Sequence, residues 1–140
     1  MESKPINVAT GVVRYSINDA VEVAFNPTDA EFIRRLFEVF DALDGKQEAY
    51  KAAINKAQKR EVFDLSRKFD AEMREMVDGA LGAGVCDAVF GGMCLYALAD
   101  GLPVWANLML ALLDEVDSVF AREQKQTNVR LQKYSAKYKK

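Results

Sequence analysis

GVCDAVFGGMCLYALADGLPVWANLMLALLDEVDSVF, residues 84–120, is the most apolar stretch of the chain, and everything else has to pack around it. Val85, Val89, Met93, Tyr96 and Ala97 recur at the three- and four-residue spacing that lines one face of a helix. Gly91 and Gly92 interrupt that pattern, so the spacing predicts a helix that is kinked there or starts only after them. Asp100-Gly101-Leu102-Pro103 reads as a helix stop followed by a new start, with Gly101 at a left-handed end and Pro103 in the first turn. A second amphipathic helix follows, its stripe made of Trp105, Leu108, Met109, Leu112, Val116, Val119 and Phe120. Asn107, Asp114, Glu115 and Asp117 mark its wetter side. Asp100, Pro103 and Asn107 leave no run near the ~20 apolar residues a bilayer span requires, so the stretch reads as a buried helical hairpin and no membrane partner is expected.

Working outward, Gly79, Gly82 and Gly84 open this stretch, and before them Gln47 to about Leu81 is rich in helix formers. A continuous helix there would be roughly 50 Å long at 1.5 Å per residue. Tyr50, Ile54 and Ala57 form one stripe; Val62, Leu65, Phe69, Met73, Met76 and Ala80 form another. The five-residue step from Ala57 to Val62 turns the two stripes apart across Gln58-Lys59-Arg60-Glu61. Either the helix breaks there and folds back, or its halves face different partners, with Tyr50 and Ile54 on a self-association surface that makes the chain a homo-oligomer. Asp64 with Lys68 and Asp70 with Arg74 are favourable i,i+4 pairs and read as a solvated face.

Further upstream, Asn26-Pro27-Thr28-Asp29-Ala30-Glu31 is a helix start, with Thr28 and Glu31 matching a capping box and Asp29 complementing the helix terminus. The stripe Phe32, Ile33, Leu36, Phe37, Val39, Phe40 and Leu43 extends this helix to Asp44-Gly45, which reads as its end. Val12, Val13 and Tyr15, then Val21, Val23 and Phe25, separated by Ser16-Ile17-Asn18-Asp19, predict a β-hairpin. An isolated hairpin is marginal in water, so it lies on the helices or adds its edge to another subunit. Residues 1–9 read as a loose lead-in.

The fold expected is therefore mainly α (α+β): an N-terminal β-hairpin followed by about four helices, one of them long. Its core is drawn from Phe32, Leu36, Phe40, Leu65, Phe69, Val89, Leu95, Leu98, Leu108, Leu112 and Val116. Residues 1–121 read as a single helical domain and residues 122–140 as a basic C-terminal tail. That tail holds seven Lys or Arg against Glu123 alone, while residues 1–121 hold 12 basic and 20 acidic side chains. An acidic body thus carries a tail with a surplus of six positive charges.

The chain has no histidine. That removes Ser/His/Asp and Cys/His nucleophiles and any imidazole metal ligand. Asp41 and Asp44 before Gly45 do not reproduce a calcium loop, and Asp114, Glu115 and Asp117 read as a solvated face. Val89-Phe90-Gly91-Gly92 has the wrong order for a phosphate loop. Cys86 and Cys94, eight residues apart, read as reduced core residues. No catalytic, cofactor-binding or metal-binding set emerges, and a non-enzyme is expected. Candidate partner-binding residues remain: Phe90 as an anchor beside Gly91 and Gly92, Trp105 at the apolar start of the last helix, Tyr50 and Ile54. In the tail, Arg130, Lys133, Tyr134 and Tyr138 suit docking on an acidic protein surface or, less well given the acidic body, nucleic acid. No charged-then-apolar signal pattern follows Met1, which places the expected protein in the cytoplasm.

The strand pair, Phe25-Asn26-Pro27-Thr28-Asp29-Ala30-Glu31, the long charged helix, Val85-Cys86-Asp87-Ala88-Val89-Phe90-Gly91, the amphipathic helix and the Lys133-Tyr134 tail follow one another in order. Across residues 6–138 this resembles small tail-region proteins of phages and prophages of Gram-positive bacteria, the tail assembly chaperone-like group above all. The resemblance implies a mostly helical non-enzyme in the cytoplasm of the bacterial host. It would bind the tape measure protein, keep its helices soluble and help recruit tail tube subunits. A structural tail component that stays in the virion, and a nucleic-acid-binding module using the tail, are the alternatives.

Overall fold

The computed structural model of the chain describes residues 2–126 and 129–138, without the side chains of Tyr134, Ala136 and Tyr138. Strands β1 (Val13–Ile17) and β2 (Val21–Phe25) form an antiparallel hairpin in which Val13 opposes Phe25 and Ile17 opposes Val21. Its turn is Asn18-Asp19-Ala20, shorter than the pattern predicts, with Asn18 and Asp19 in the left-handed conformation those residue types tolerate. The odd-numbered side chains face inward. Tyr15, Phe25 and Phe32 stack in series, with ring centroids 4.7 and 4.1 Å apart, so the hairpin lies on the helices of its own chain.

Helix α1 (Ala30–Lys56) starts at Asp29, whose side chain accepts a hydrogen bond from the Glu31 amide at 3.0 Å. Thr28 is not the cap: its amide and hydroxyl both bond to Asn26 Oδ1 at 2.8 Å, which fixes the turn before the helix. Nor does α1 end at Asp44-Gly45. Gly45 takes an ordinary helical conformation, because the stripe of Phe32, Leu36 and Leu43 is buried on one side of it and Tyr50 is engaged on the other. That packing outweighs the ~1 kcal/mol by which glycine disfavours a helix.

The break falls later, at Ala57 and Gln58, both extended, after which α2 (Lys59–Leu81) folds back along α1. The expected helix from Gln47 to Leu81 is therefore two helices, and the step between the Ala57 and Val62 stripes is the turn between them. Lys46 pairs with Glu72, and the Tyr50 and Ser66 hydroxyls bond at 2.9 Å, tying the two together. Tyr50 also stacks on Tyr96, and Phe69 meets it edge-on.

Beyond α2 come the short α3 (Val85–Phe90), a miniature hairpin of β3 (Leu98–Ala99) and β4 (Leu102–Pro103), then α4 (Val104–Lys125) and α5 (Arg130–Tyr138). The helix expected across or after Gly91-Gly92 is absent: α3 ends at Gly91, whose φ is 57°. Asp100-Gly101 is a two-residue hairpin turn with φ of 55° and 78°, the pairing that Asp-Gly favours. Leu98, expected in the core, is 74% exposed as a result. Pro103 is the N-cap and has no side chain to cap with, so the carbonyls of Ala97 and Leu95 take the amides of Val104 and Trp105 at 2.8 and 3.0 Å.

The core gathers on α4, where Trp105, Leu108, Met109, Leu112 and Val116 meet Leu36 and Leu43 of α1, Met73 and Val77 of α2, and Leu95. Phe32, Leu36, Leu95, Leu108, Leu112 and Val116 are buried as expected; Phe40, Leu65, Phe69 and Val89 are half-buried. Gly45→Ala tests the continuity of α1. With nothing within 4 Å of a Cβ placed there, the substitution is expected to raise stability by ~0.5–1 kcal/mol, read as a higher urea midpoint. A helix end at Gly45 would make it destabilising.

Candidate partner-binding surface

A six-residue helix such as α3 cannot hold itself in water, so its position has to come from tertiary contacts. They come from one face of α2. Asp70, Arg74 and Asp78, four residues apart, line that face and reach across to residues 86–95. Arg74 Nε donates to Asp70 Oδ2 at 3.0 Å and its Nη1 to Asp87 Oδ1 at 2.8 Å. Its Nη2 donates to the carbonyls of Gly91, at 2.7 Å, and Met93. Asp70 Oδ1 accepts the Leu95 amide at 2.7 Å, and Asp78 Oδ1 the Cys86 amide at 2.9 Å. The Asp70–Arg74 pair, read from sequence as solvated, is 18% and 15% exposed at its side chains and clamps the segment between α3 and β3.

The clamp positions Val89, Phe90 and Met93 over α4, where with Val104, Leu108, Ala111 and Ile17 of the hairpin they line a groove of about 330 Å³. Asn18 and Asn107 add its polar groups, and Asn107 Nδ2 is already engaged with the Ala99 carbonyl at 2.9 Å. Such a lining suits an apolar side chain presented by a partner helix. Beside the groove Tyr15 donates to Glu115 at 3.0 Å; burial and then this carboxylate push its pKa up to about 12.

The candidate residues do not form one surface. Phe90 lines the groove, with Gly91 and Gly92 exposed next to it. Gly91 ends α3 with φ 57° and ψ −132°, a backbone conformation open to glycine, and a Cβ at either glycine would meet open space, so close approach of another backbone does not explain them. Tyr50 and Ile54 lie half-buried on α1, with Tyr50 held by α2 and Tyr96. Trp105 is a core residue, edge-on to Phe40 with centroids 5.6 Å apart and its indole N–H on Gln47; it also walls a second groove of about 270 Å³ with Leu102 and Leu110. Arg130 and Lys133 are exposed on α5, while the side chains of Tyr134 and Tyr138 lie outside the described residues.

Among the described residues no group of three His, Cys, Asp or Glu side chains could hold a metal ion, and no helix is long and apolar enough to cross a membrane. Cys86 is fully buried with its Sγ toward the Arg74 carbonyl, and burial followed by the Asp78 carboxylate pushes its pKa up to about 12. It is no nucleophile at neutral pH. No protein-family model, curated protein or solved structure matches the chain. Both cysteines are free, and Cys94 is only half-buried. A neutral-pH thiol reagent is therefore expected to label Cys94 alone in the native protein, as mass spectrometry of peptides would read, and to reach Cys86 only on unfolding.

Proposed function

We propose that the chain is a non-enzymatic tail assembly chaperone or scaffold of a bacteriophage or prophage of Gram-positive bacteria. It acts in the host cytoplasm as a homo-oligomer and holds helices of the tape measure protein, the tail tube protein or both. The groove under Phe90 carries this reading. It is lined mainly by apolar side chains, and Met93 supplies a flexible one able to adapt to different partner residues. The resemblance of residues 6–138 to tail assembly chaperone-like proteins names the partners, and a chain without histidine suits a binding role better than a catalytic one.

Co-expression with a helical segment of the tape measure protein encoded beside this chain tests the proposal. The wild-type chain is expected to keep that segment soluble and to co-purify with it. Ala111→Glu places a charge in the groove wall from an exposed position that the fold does not need. It is expected to weaken binding at least ~10-fold, the effect of losing an apolar anchor worth over ~1 kcal/mol. Equal binding by both would remove the groove as the site. Mass spectrometry of purified virions separates a chaperone, which is absent from them, from a structural tail component, which is present.

A further inference from the structure

We propose that residues 5–10 form an exchange arm that pairs, as an antiparallel β-strand, with β1 of a second copy of this chain. Ile6, Val8 and Thr10 alternate with Asn7 and Ala9, the pattern of a strand with one covered face, yet Ile6 is 87% and Val8 74% exposed. Among the described residues the hairpin is a two-stranded sheet, and β2 lies beside α3. The outer edge of β1 is thus the one that presents unpaired backbone groups.

The arm does not reach the β1 edge of its own chain. Asn26 Nδ2 holds the Thr10 carbonyl at 2.8 Å, at the open end of the hairpin, and the base of the arm shares a cavity wall with Thr28, Phe120 and Glu123. A Cβ on Gly11 would lie 2.7 Å from that same Asn26 nitrogen, so glycine is what lets the chain pass there. Gly11 has φ of 71°, a conformation glycine favours, and across it the apolar positions pass from even in the arm to odd in β1. Held in this way, the arm leaves Ile6 and Val8 uncovered by their own chain.

Register selects which contacts form. Opposed residues of an antiparallel pair point to the same face, so even arm residues must sit opposite odd β1 residues. A two-fold axis beside Gly11 and Val12 sets Ile6 opposite Ile17, and Val8 opposite Tyr15, of the second copy. Ile6, Val8 and Thr10 then each oppose an odd residue of β1, Ile17, Tyr15 and Val13 in turn. Sliding the arm by two residues one way sets Lys4 opposite Ile17, and the other way carries Ile6 past the end of β1 into the turn. Apolar pairing along the whole of β1 thus favours the first register. The interface is isologous and closes as a dimer. It rests on the oligomeric reading above: a monomer would fail both, whereas a dimer indifferent to changes in the arm would fail this proposal alone, and none of its tests involves a tail partner.

Sedimentation equilibrium of the full chain at tens of micromolar is expected to give a dimer. The variant carrying Ile6→Lys and Val8→Lys should raise the dimer dissociation constant at least ~10-fold with unchanged helical circular dichroism, since both side chains are exposed in the single chain. The variant carrying Ile6→Cys and Ile17→Cys should form, under oxidation, a disulfide between copies joining positions 6 and 17. A monomer at high concentration, a dimer indifferent to the lysine substitutions, or a disulfide between positions 6 and 17 of one chain would each overturn the proposal.

Discussion

The ion pair between Asp70 and Arg74 is the constraint on which the rest of the structure depends. Both residues sit on α2 at i,i+4 spacing, where an exposed pair would contribute only a few tenths of a kcal/mol. Here the pair is largely covered, and each partner has further work: Arg74 reaches the carbonyls of Gly91 and Met93, and Asp70 takes the Leu95 amide. Charged groups so covered are costly unless their polar atoms are bonded, and here each guanidinium nitrogen of Arg74 and both carboxylate oxygens of Asp70 have a partner. Among the described residues no buried side-chain nitrogen or oxygen is left without a partner. The segment after Gly91 has no regular structure of its own to satisfy its backbone, so the helix beside it supplies the bonds.

Consequences spread from there. With Leu95 held, its carbonyl and that of Ala97 can cap α4 at Trp105 and Val104, a helix whose own N-cap, Pro103, offers no side-chain acceptor. Helix α4 then presents Leu108, Met109 and Leu112 to α1 and α2, and its other flank to α3 and the hairpin tip. The groove at Phe90 lies where these three elements meet, so its shape follows from the polar clamp. An apolar groove held by polar bonds can stay open without collapsing onto itself, as the helix binding proposed for it requires.

Much of this was legible from residue spacing. The stripes of α1 and α4, the hairpin before Asn26 and the change of face near Gln58 all rest on periodicity, and burial follows the two stripes except at Phe37 and Phe120, which lie at their edges and are exposed. Three features escaped for identifiable reasons. Gly45 is a helix-end residue by type, and only packing on both sides shows that it is not one. Asp100-Gly101 serves equally as a helix stop and as a two-residue hairpin turn, and local sequence does not choose between them. The Asp70–Arg74 pair looks like any solvated pair, because its partners are main-chain groups of a segment 17 to 25 residues away, invisible to local spacing. Phe90 stood out in the sequence beside its two glycines; the groove it lines, built from three distant segments, did not.

Amide hydrogen exchange on Arg74→Met reads the clamp most directly. Methionine keeps the helix and the apolar stem while removing all four donated bonds, and hydrogen bonds to charged groups contribute ~1.5–3 kcal/mol each where they are well formed. The account predicts that amides between Cys86 and Leu95 exchange at least ~10-fold faster, while those of α1 around Leu36 and Leu43 keep their protection. Unchanged exchange at Leu95, or a uniform loss of protection across α1, α2 and α4, would contradict it.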